Sequence, residues 1–451
     1  MLLSARWVLP IEGPPVENGA VLVRDGRIAA VGPRQSLEGQ TDPADERRHF
    51  ESAVIMPGFV DLHTHLKFSA FRGLCDDLGY ARWKLQVSER ARVLDPDDWS
   101  ASARLGALET IRSGITCVVD ISSTPHGLDA ALEGGIRGVF YREVEGMDHS
   151  RVAELLGDAE RYVLEARDRA RTAPVVIGIA PHGPYAASSE IFLGCAEMAR
   201  RLDLPVATHL AGSTDEYEFV KYGSSLLANE YRDQQGWSDF PWQPMGVSPV
   251  KYVLQWQLFS CDNVMVAHAI HVDDQDLATL ARYDVSIAHC PRCAAKLGMG
   301  VAPLNPYIEH GLRVGMGTDS PASNNTMDMF DEMRVGLLIQ RAANQTVDGF
   351  SAERFVRMAT LGGAEALRLE KDIGSLVPGK AADLIAVDLS HSRQLPMQAD
   401  PYSALVYTAN QDNVLLTMVD GKVLFSDSAF ATFDHDAVLA ASGPVRAKLR
   451  A

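Results

Sequence analysis

Pro57-Gly-Phe-Val-Asp-Leu-His63-Thr-His65 is a short apolar run that ends in two histidines one residue apart. A run of this length, opened by a Pro-Gly turn signal, reads as a buried β-strand. Residues i and i+2 of a strand point to the same side, so His63 and His65 can reach one ion together. A His-x-His also occurs by chance, and its weight depends on what the rest of the chain brings beside it.

Working outward, the same rhythm recurs across about 57–371: a short apolar run, a loop, then a stretch of helical character. The runs after the first are Ile115-Thr-Cys-Val-Val-Asp120, Gly138-Val-Phe-Tyr-Arg-Glu143, Val175-Val-Ile-Gly-Ile-Ala180 and Pro205-Val-Ala-Thr-His209, followed by Asn263-Val-Met-Val-Ala-His268, Val285-Ser-Ile-Ala-His289 and Arg313-Val-Gly-Met-Gly-Thr-Asp319. With the first they make eight. Segments 99–113, 151–171 and 274–283 between them carry helical spacing and good helix formers. Alternating β and α units predict a parallel sheet, and eight of them fit a closed (β/α)8 TIM barrel. A doubly wound sheet would be expected to carry Gly-x-Gly-x-x-Gly after its first strand, and none is present.

The two ends of the chain differ from the middle. Val21-Leu-Val23, Asp25-Gly26 and Arg27-Ile-Ala-Ala-Val31 form a hairpin signal, as do Val414-Leu-Leu-Thr-Met-Val419, Asp420-Gly421 and Lys422-Val-Leu-Phe425. Ala382-Asp-Leu-Ile-Ala-Val387 reads as a further strand. The expectation is a small composite β-sandwich built from 1–56 and 372–451, around a barrel at 57–371. The stretch 212–252, with Trp237, Phe240, Pro241, Trp242, Pro244 and Pro249, exceeds an ordinary loop. It is expected to shape a pocket or to form a surface insertion.

Ordering the polar strand ends gives His63 and His65 on the first strand, His209 on the fifth, His268 on the sixth and Asp319 on the eighth. The C-terminal ends of barrel strands converge on one mouth, so residues far apart in sequence become neighbours there. Imidazole nitrogens suit zinc or iron, and a carboxylate can complete the set. Four strand ends carrying ligand-type residues are hard to explain as packing.

Composition limits the partners. A formal charge of −17 over 451 residues argues against nucleic acid or an anionic membrane, both of which demand basic surface. No secretory signal is legible in MLLSARWVLPIEGPP, and no run approaches the roughly 18 apolar residues of a membrane span. Cysteines 75, 117, 195, 261, 290 and 293 are scattered, and Cys290-Pro-Arg-Cys293 reads as two incidental thiols. A cytoplasmic homo-oligomer acting on a small molecule is the expectation.

Pro57 to His65, Ala267-His268, His289-Cys-Pro-Arg292 and Gly317-Thr-Asp-Ser320 together resemble the amidohydrolase superfamily. The chain is similar to its branch of nucleoside deaminases and triazine chlorohydrolases. Phe71-Arg-Gly73, Ala180-Pro-His-Gly-Pro-Tyr185, Ser248-Pro-Val-Lys-Tyr252 and Ala322-Ser-Asn324 resemble aminofutalosine deaminase-like and S-adenosylhomocysteine deaminase-like members. Gly374-Ser-Leu-Val-Pro-Gly-Lys-Ala-Ala-Asp383 matches the family's β-sandwich.

The resemblance implies that His63, His65, His209 and Asp319 hold one divalent metal ion, zinc, with iron or manganese as alternatives. The metal would lower the pKa of a bound water toward neutrality. Asp319 would take the water's proton, and His268 would orient the water or polarise the substrate. His182 matches a position that contacts substrate in relatives. The fourth strand offers no lysine to bridge two metals, which implies a mononuclear site. Hydrolytic deamination of an adenine-type nucleoside or related amino-heterocycle is the implied reaction. Trp83 can stack on a purine-like ring, and Arg82, Arg142 and Arg292 can meet a substrate carboxylate or phosphate. Trp83 and Arg292 are taken with His182 as substrate contacts.

One departure stands out. Deaminases of this branch carry a proton-shuttling Glu three residues after the fifth-strand His, and His209-Leu-Ala-Gly212 has glycine there. Asp215, Glu216 or Glu218 could substitute, although acidic residues opening a helix are commonly there for its dipole. Alternatively the bond broken is a C–Cl, C–S or cyclic amide bond needing less proton delivery, or the protein binds a ligand without turnover.

Overall fold

Both Asp-Gly pairs fold as the hairpin signal requires. Asp25 and Gly26 have φ of 49° and 76°, Asp420 and Gly421 of 47° and 73°, the paired positive φ of a tight antiparallel turn. The tips of the two hairpins touch. A Cβ on Gly421 would lie 2.7 Å from Gly26 Cα, and Ala382 bridges them by donating to Gly26 O (2.8 Å) and accepting from Gly421 N (3.1 Å). The structure, a computed structural model, describes residues 1–42, 44–240, 242–391 and 400–450.

The two chain ends share one hydrogen-bonded sheet. Its strands are β1 (Leu2–Val8), β2 (Val16–Arg24), β3 (Arg27–Pro33) and β4 (Arg47–Pro57). The barrel strands follow: β5 (Phe59–Thr64), β6 (Ile115–Ser122), β7 (Arg137–Val144), β8 (Val175–Pro181), β9 (Val206–Leu210), β10 (Val264–His268), β11 (Ser286–His289) and β12 (Arg313–Met316). The first sheet is completed by β13 (Leu384–Asp388), β14 (Val414–Val419), β15 (Lys422–Ser426) and β16 (Ala429–Phe430), in the order β16-β15-β14-β13-β4-β1-β2-β3. β4 joins the termini, pairing parallel with β1 and antiparallel with β13. Leu3, Val21, Ile55, Leu384, Leu416 and Met418 form part of this sheet's own core.

The second sheet runs β5 to β12 in chain order, every pairing parallel. A parallel bridge between Thr64 and Asp319 closes the circle. This is the (β/α)8 barrel expected from the eight apolar runs. The expected helices are present as Pro96–Arg112, Val152–Ala170 and Asp274–Arg282. Asp95 and Asp273 open the first and third of these through reciprocal capping boxes.

The long segment after β9 is ordered as a helix, Thr214–Tyr222, a π-turn, Leu227–Tyr231, and a helix at its end, Pro249–Gln255. Its Pro241 lies outside the described residues. Among the described residues no helix is long and apolar enough to cross a membrane. The last helix, His435–Arg450, lies on the barrel, with Lys448 Nζ 2.8 Å from Asp95 and 2.6 Å from Asp98.

Arg137, at the start of β7, ties the two sheets together. Its Nε donates to Asp383 (2.6 Å) and its Nη2 to Asp420 (2.5 Å). Asp383 is 3% exposed, so removing the guanidinium strands a buried charge. Arg137→Ala is expected to lower unfolding free energy by about 3–5 kcal/mol, read from denaturant midpoints. A loss under about 1 kcal/mol would show that Asp383 finds solvent or another partner.

Candidate metal centre and catalytic cavity

The strand ends place His63, His65, His209, His268 and Asp319 around one point. Ligand-type atoms of His63, His65 and His209 all lie within 4.8 Å of one another, as do those of His63, His268 and Asp319. Asp319 Oδ1 is 3.6 Å from His63 Nε2 and 3.8 Å from His65 Nε2.

The protonation pattern tests whether this set fits a cation. His65 Nδ1 lies 2.7 Å from Ile121 O, and His209 Nδ1 lies 2.8 Å from His182 O. A carbonyl only accepts, so each Nδ1 carries the proton and each Nε2 presents a lone pair. Those two Nε2 atoms face each other at 3.2 Å. Burial pushes the pKa of both rings down, that of His209 well below the ordinary value, so a proton does not relieve the repulsion. His63 is fully buried with neither ring nitrogen hydrogen-bonded, and His268 Nδ1 is likewise buried without a partner. Buried imidazoles, two of them fixed through Nδ1 with Nε2 toward the cluster and the others with unpartnered ring nitrogens, are the donor set of a divalent metal site.

Backbone strain and buried carboxylates hold the set in place. His268 and Asp319 have φ of 78° and 60°, left-handed values that non-glycine residues keep only where their surroundings over-determine them. Asp61 accepts from His63 N (3.3 Å), Thr318 N (2.9 Å) and Thr318 Oγ1 (2.6 Å), tying the first strand to the last ligand. Cys293 Sγ donates to Asp319 Oδ2 at 2.8 Å, leaving Oδ1 toward the histidines. One of the two thiols read as incidental thus touches the site.

A cavity of about 350 Å³ opens on His65, His209, His268 and Asp319. One face of the helix Tyr80–Ala91 walls it with Tyr80, Trp83, Lys84, Val87, Ser88 and Ala91. Trp83 lines the cavity. Its indole N–H is committed to Ala322 O (3.0 Å), leaving the ring toward the cavity.

His182 lines the same cavity. Its Nδ1 lies 2.6 Å from Glu143 and 3.0 Å from Glu145, while its Nε2 meets Tyr185 Oη (2.8 Å) and Lys84 Nζ (3.2 Å). Burial and Lys84 push its pKa down, but the two carboxylates outweigh them and the net shift is upward. Burial raises Glu143, and His182 with Lys67 reverses this to hold it well below the carboxylate range.

Arg292 does not line the cavity. It donates to Thr326 Oγ1 (2.8 Å) and Asn324 O (3.1 Å) and lies 3.8 Å from the fully buried Glu332. Arg82 is exposed, and Arg142 donates to Ser123 O and lies over the Tyr162 ring. The cations at the cavity are Lys67, Lys84 and Arg92. Selecting polar strand ends only for metal ligands passed over Glu143, which closes the third run, and Asp120, which accepts from Leu66 N at 2.7 Å.

Gly212 has a physical surround. A Cβ there would sit 3.1 Å from His268 Cδ2 and 3.2 Å from Met299 Cε. His271 anchors Met299 through a 2.7 Å contact between Nε2 and Met299 O. Of the acidic residues that could stand in, Glu216 is turned away to accept from Ala211 N (2.8 Å) and Gly212 N (2.9 Å). Asp215, Glu216 and Glu218 do not line the cavity.

An eight-stranded barrel with a histidine–aspartate cluster at its strand ends defines a hydrolase-type metal site. The chain belongs to the amidohydrolase family, whose description matches residues 54–424. An imidazolonepropionase-like bacterial composite domain matches residues 19–40. The chain is 33% identical over 437 residues to the 5-methylthioadenosine/S-adenosylhomocysteine deaminase of Nitratidesulfovibrio vulgaris, covering 96% of this chain and 93% of that protein. It is 30% identical over 453 residues to the deaminase of the same name from Desulforamulus reducens, covering 97% and 96%. The crystal structure of an adenosine deaminase from Xanthomonas campestris with bound zinc superposes with a TM-score of 0.85 at 26% identity, covering 100% of this chain and 98% of that one.

Two outcomes follow from the geometry. Cys293→Ser keeps a donor to Asp319 and is expected to hold metal affinity within about threefold, whereas Cys293→Ala should weaken it about tenfold or more, read by chelator competition. Glu216 is pushed up to about 7 by burial. Its folded state binds a proton that the unfolded chain has already released between about pH 4.3 and 7, so this group's contribution to stability falls as pH rises through that window. Glu216→Gln should flatten that part of the stability profile. An unchanged slope in thermal melts between about pH 5 and 8 would show that Glu216 is ionised throughout.

Proposed function

We propose that this chain is a hydrolytic deaminase of an adenine-type nucleoside or a related amino-heterocycle, consuming one water and releasing ammonia. His63, His65, His209 and Asp319 would hold one divalent metal ion, zinc. The facing lone pairs of His65 and His209 at 3.2 Å carry the reading, because only a cation resolves them without protonating a ring. A metal bound there supplies Lewis acidity and lowers the pKa of water toward neutrality.

The chain's own residues do the rest. Asp319, held through Oδ2 by Cys293, takes the proton from the attacking water. His268 polarises the reacting carbon's substituent from the neighbouring strand end. Trp83 offers a ring face to the heterocycle, and His182 with Tyr185 meets its polar edge. Proton return to the leaving amine falls to the Glu143–His182–Glu145 group, since position 212 has no side chain to serve. The relatives named as 5-methylthioadenosine/S-adenosylhomocysteine deaminases support the substrate class.

Ammonia release on a panel of adenosine, 5′-deoxyadenosine, methylthioadenosine, S-adenosylhomocysteine and aminofutalosine tests the reading. Asp319→Asn and Glu145→Gln should each lower kcat by about 10²–10⁴-fold. No ammonia from any member by metal-loaded protein would sink it.

One observation favours a second reading. Position 212 offers no side chain for proton delivery, and a Cβ there would sit 3.1 Å from His268 Cδ2 and 3.2 Å from Met299 Cε, so a Glu would need these neighbours to shift. Hydrolysis of a C–Cl, C–S or cyclic amide bond on a similar ring asks less of a shuttle. Gly212→Glu combined with Met299→Ala distinguishes the two. A gain of about tenfold or more in ammonia release shows that a shuttle was missing, and no gain shows that the His182 group already serves.

A further inference from the structure

A second cavity, of about 320 Å³, lies behind the catalytic one. The two share a wall. Glu145 and Tyr231 face the catalytic side, while Met147 and Arg232, one or two residues along the chain, line the other. The 212–252 segment supplies Arg232, Phe240, Trp242 and Tyr252 to it, and Trp256 completes its aromatic side.

Its polar lining mixes Ser188, Ser189, Gln243 and His149 with Arg232, but its charges are one-sided. Arg232 is 5% exposed, and its Nη2 is spent on Trp237 O (2.9 Å) and Phe240 O. No carboxylate lies within ion-pair distance of it among the described residues, and burial alone lowers its pKa. A desolvated guanidinium without a counter-ion is costly, the more notable in a chain of net charge −17. Trp256 Nε1 is also buried without an acceptor, the Tyr252 hydroxyl being close enough to interact but out of hydrogen-bond geometry. No Asp or Glu lines the cavity. Glu190 at its edge is taken by His149, 2.8 Å away.

Two buried donors, no lining carboxylate and aromatic walls describe a site lacking its anion. We propose that this cavity binds a small organic monocarboxylate with an aromatic body, the carboxylate pairing with Arg232 and Trp256 Nε1 and the ring packing among Phe240, Trp242 and Tyr252. Guanidinium suits a carboxylate better than a neutral acceptor, and an aromatic body fits walls that offer ring faces.

Phenylacetate and its uncharged analogue phenylacetamide probe this directly, followed by calorimetry and by the fluorescence of Trp242 and Trp256. Phenylacetate is expected to bind saturably below about 10 mM, with phenylacetamide about tenfold weaker or more. Arg232→Met should abolish the difference. Because Arg232 also holds loop carbonyls, Trp256→Phe gives a second reading, keeping the ring and losing the donor, with phenylacetate weakened about threefold or more. Lys84→Met, on the catalytic side, should leave binding unchanged. No saturation by about 10 mM overturns the proposal. So does binding that survives Arg232→Met but is lost in Lys84→Met, which would put the carboxylate in the catalytic cavity. A dimer that Met245→Glu dissociates, with no phenylacetate binding, would make this face a subunit contact instead and equally overturn it.

Discussion

Asp61 sits between the first and last barrel strands with both carboxylate oxygens engaged, by His63 N and by the backbone and hydroxyl of Thr318. A parallel barrel closes only if its first strand finds the last in register, and here that meeting is the bridge from Thr64 to Asp319. The closing hydrogen bond, Asp319 N to His63 O at 2.7 Å, joins two of the site's own side chains through their backbones. Burial pushes Asp61 up to about 7 against the bonds it accepts, so the clamp is held at an electrostatic cost. Folding and site assembly are therefore one event at this seam. A chain that failed to close would lack the site as well as the fold.

Around the seam the mouth divides into regions of opposite character. The four histidines of the cluster are kept neutral by burial, and they present lone pairs. His182 differs, its pKa raised by the two carboxylates that face its Nδ1. His209 touches both, donating Nδ1–H to His182 O while its Nε2 faces the cluster. Gly212 and Met299 pack against His268 outside the residues that line the cavity. Lone pairs and exchangeable protons thus border one 350 Å³ space.

Much of the fold was legible because barrel strands are buried on both faces and read as unbroken apolar runs, and because Asp-Gly between two apolar strand-like runs marks a hairpin. The histidines were legible because a strand's period of two puts His63 beside His65. What escaped depends on contacts that no periodicity encodes. Cys293 reaches Asp319 only because the short helix Pro291–Lys296 turns its second thiol back over the strand end. The same turn carries Arg292 away toward Glu332, which no reading of charge alone would reveal. Glu143 was in plain view at the end of its strand, but its partners come from the next strand's loop. Nor does sequence show that two chain ends will interlock at their hairpin tips through Ala382.

The helix Tyr80–Ala91 carries an apolar stripe that any pattern analysis would assign to the core, yet that stripe borders an open space. Its side chains belong to one contiguous segment of 12 residues, apart from the strand ends that hold the cluster. Much of the cavity wall and the histidine–aspartate cluster are thereby written in separate parts of the chain. A lineage could redraft the first by drift or recombination across some dozen codons while selection on the second stayed untouched, which is one way a single barrel comes to serve many small molecules.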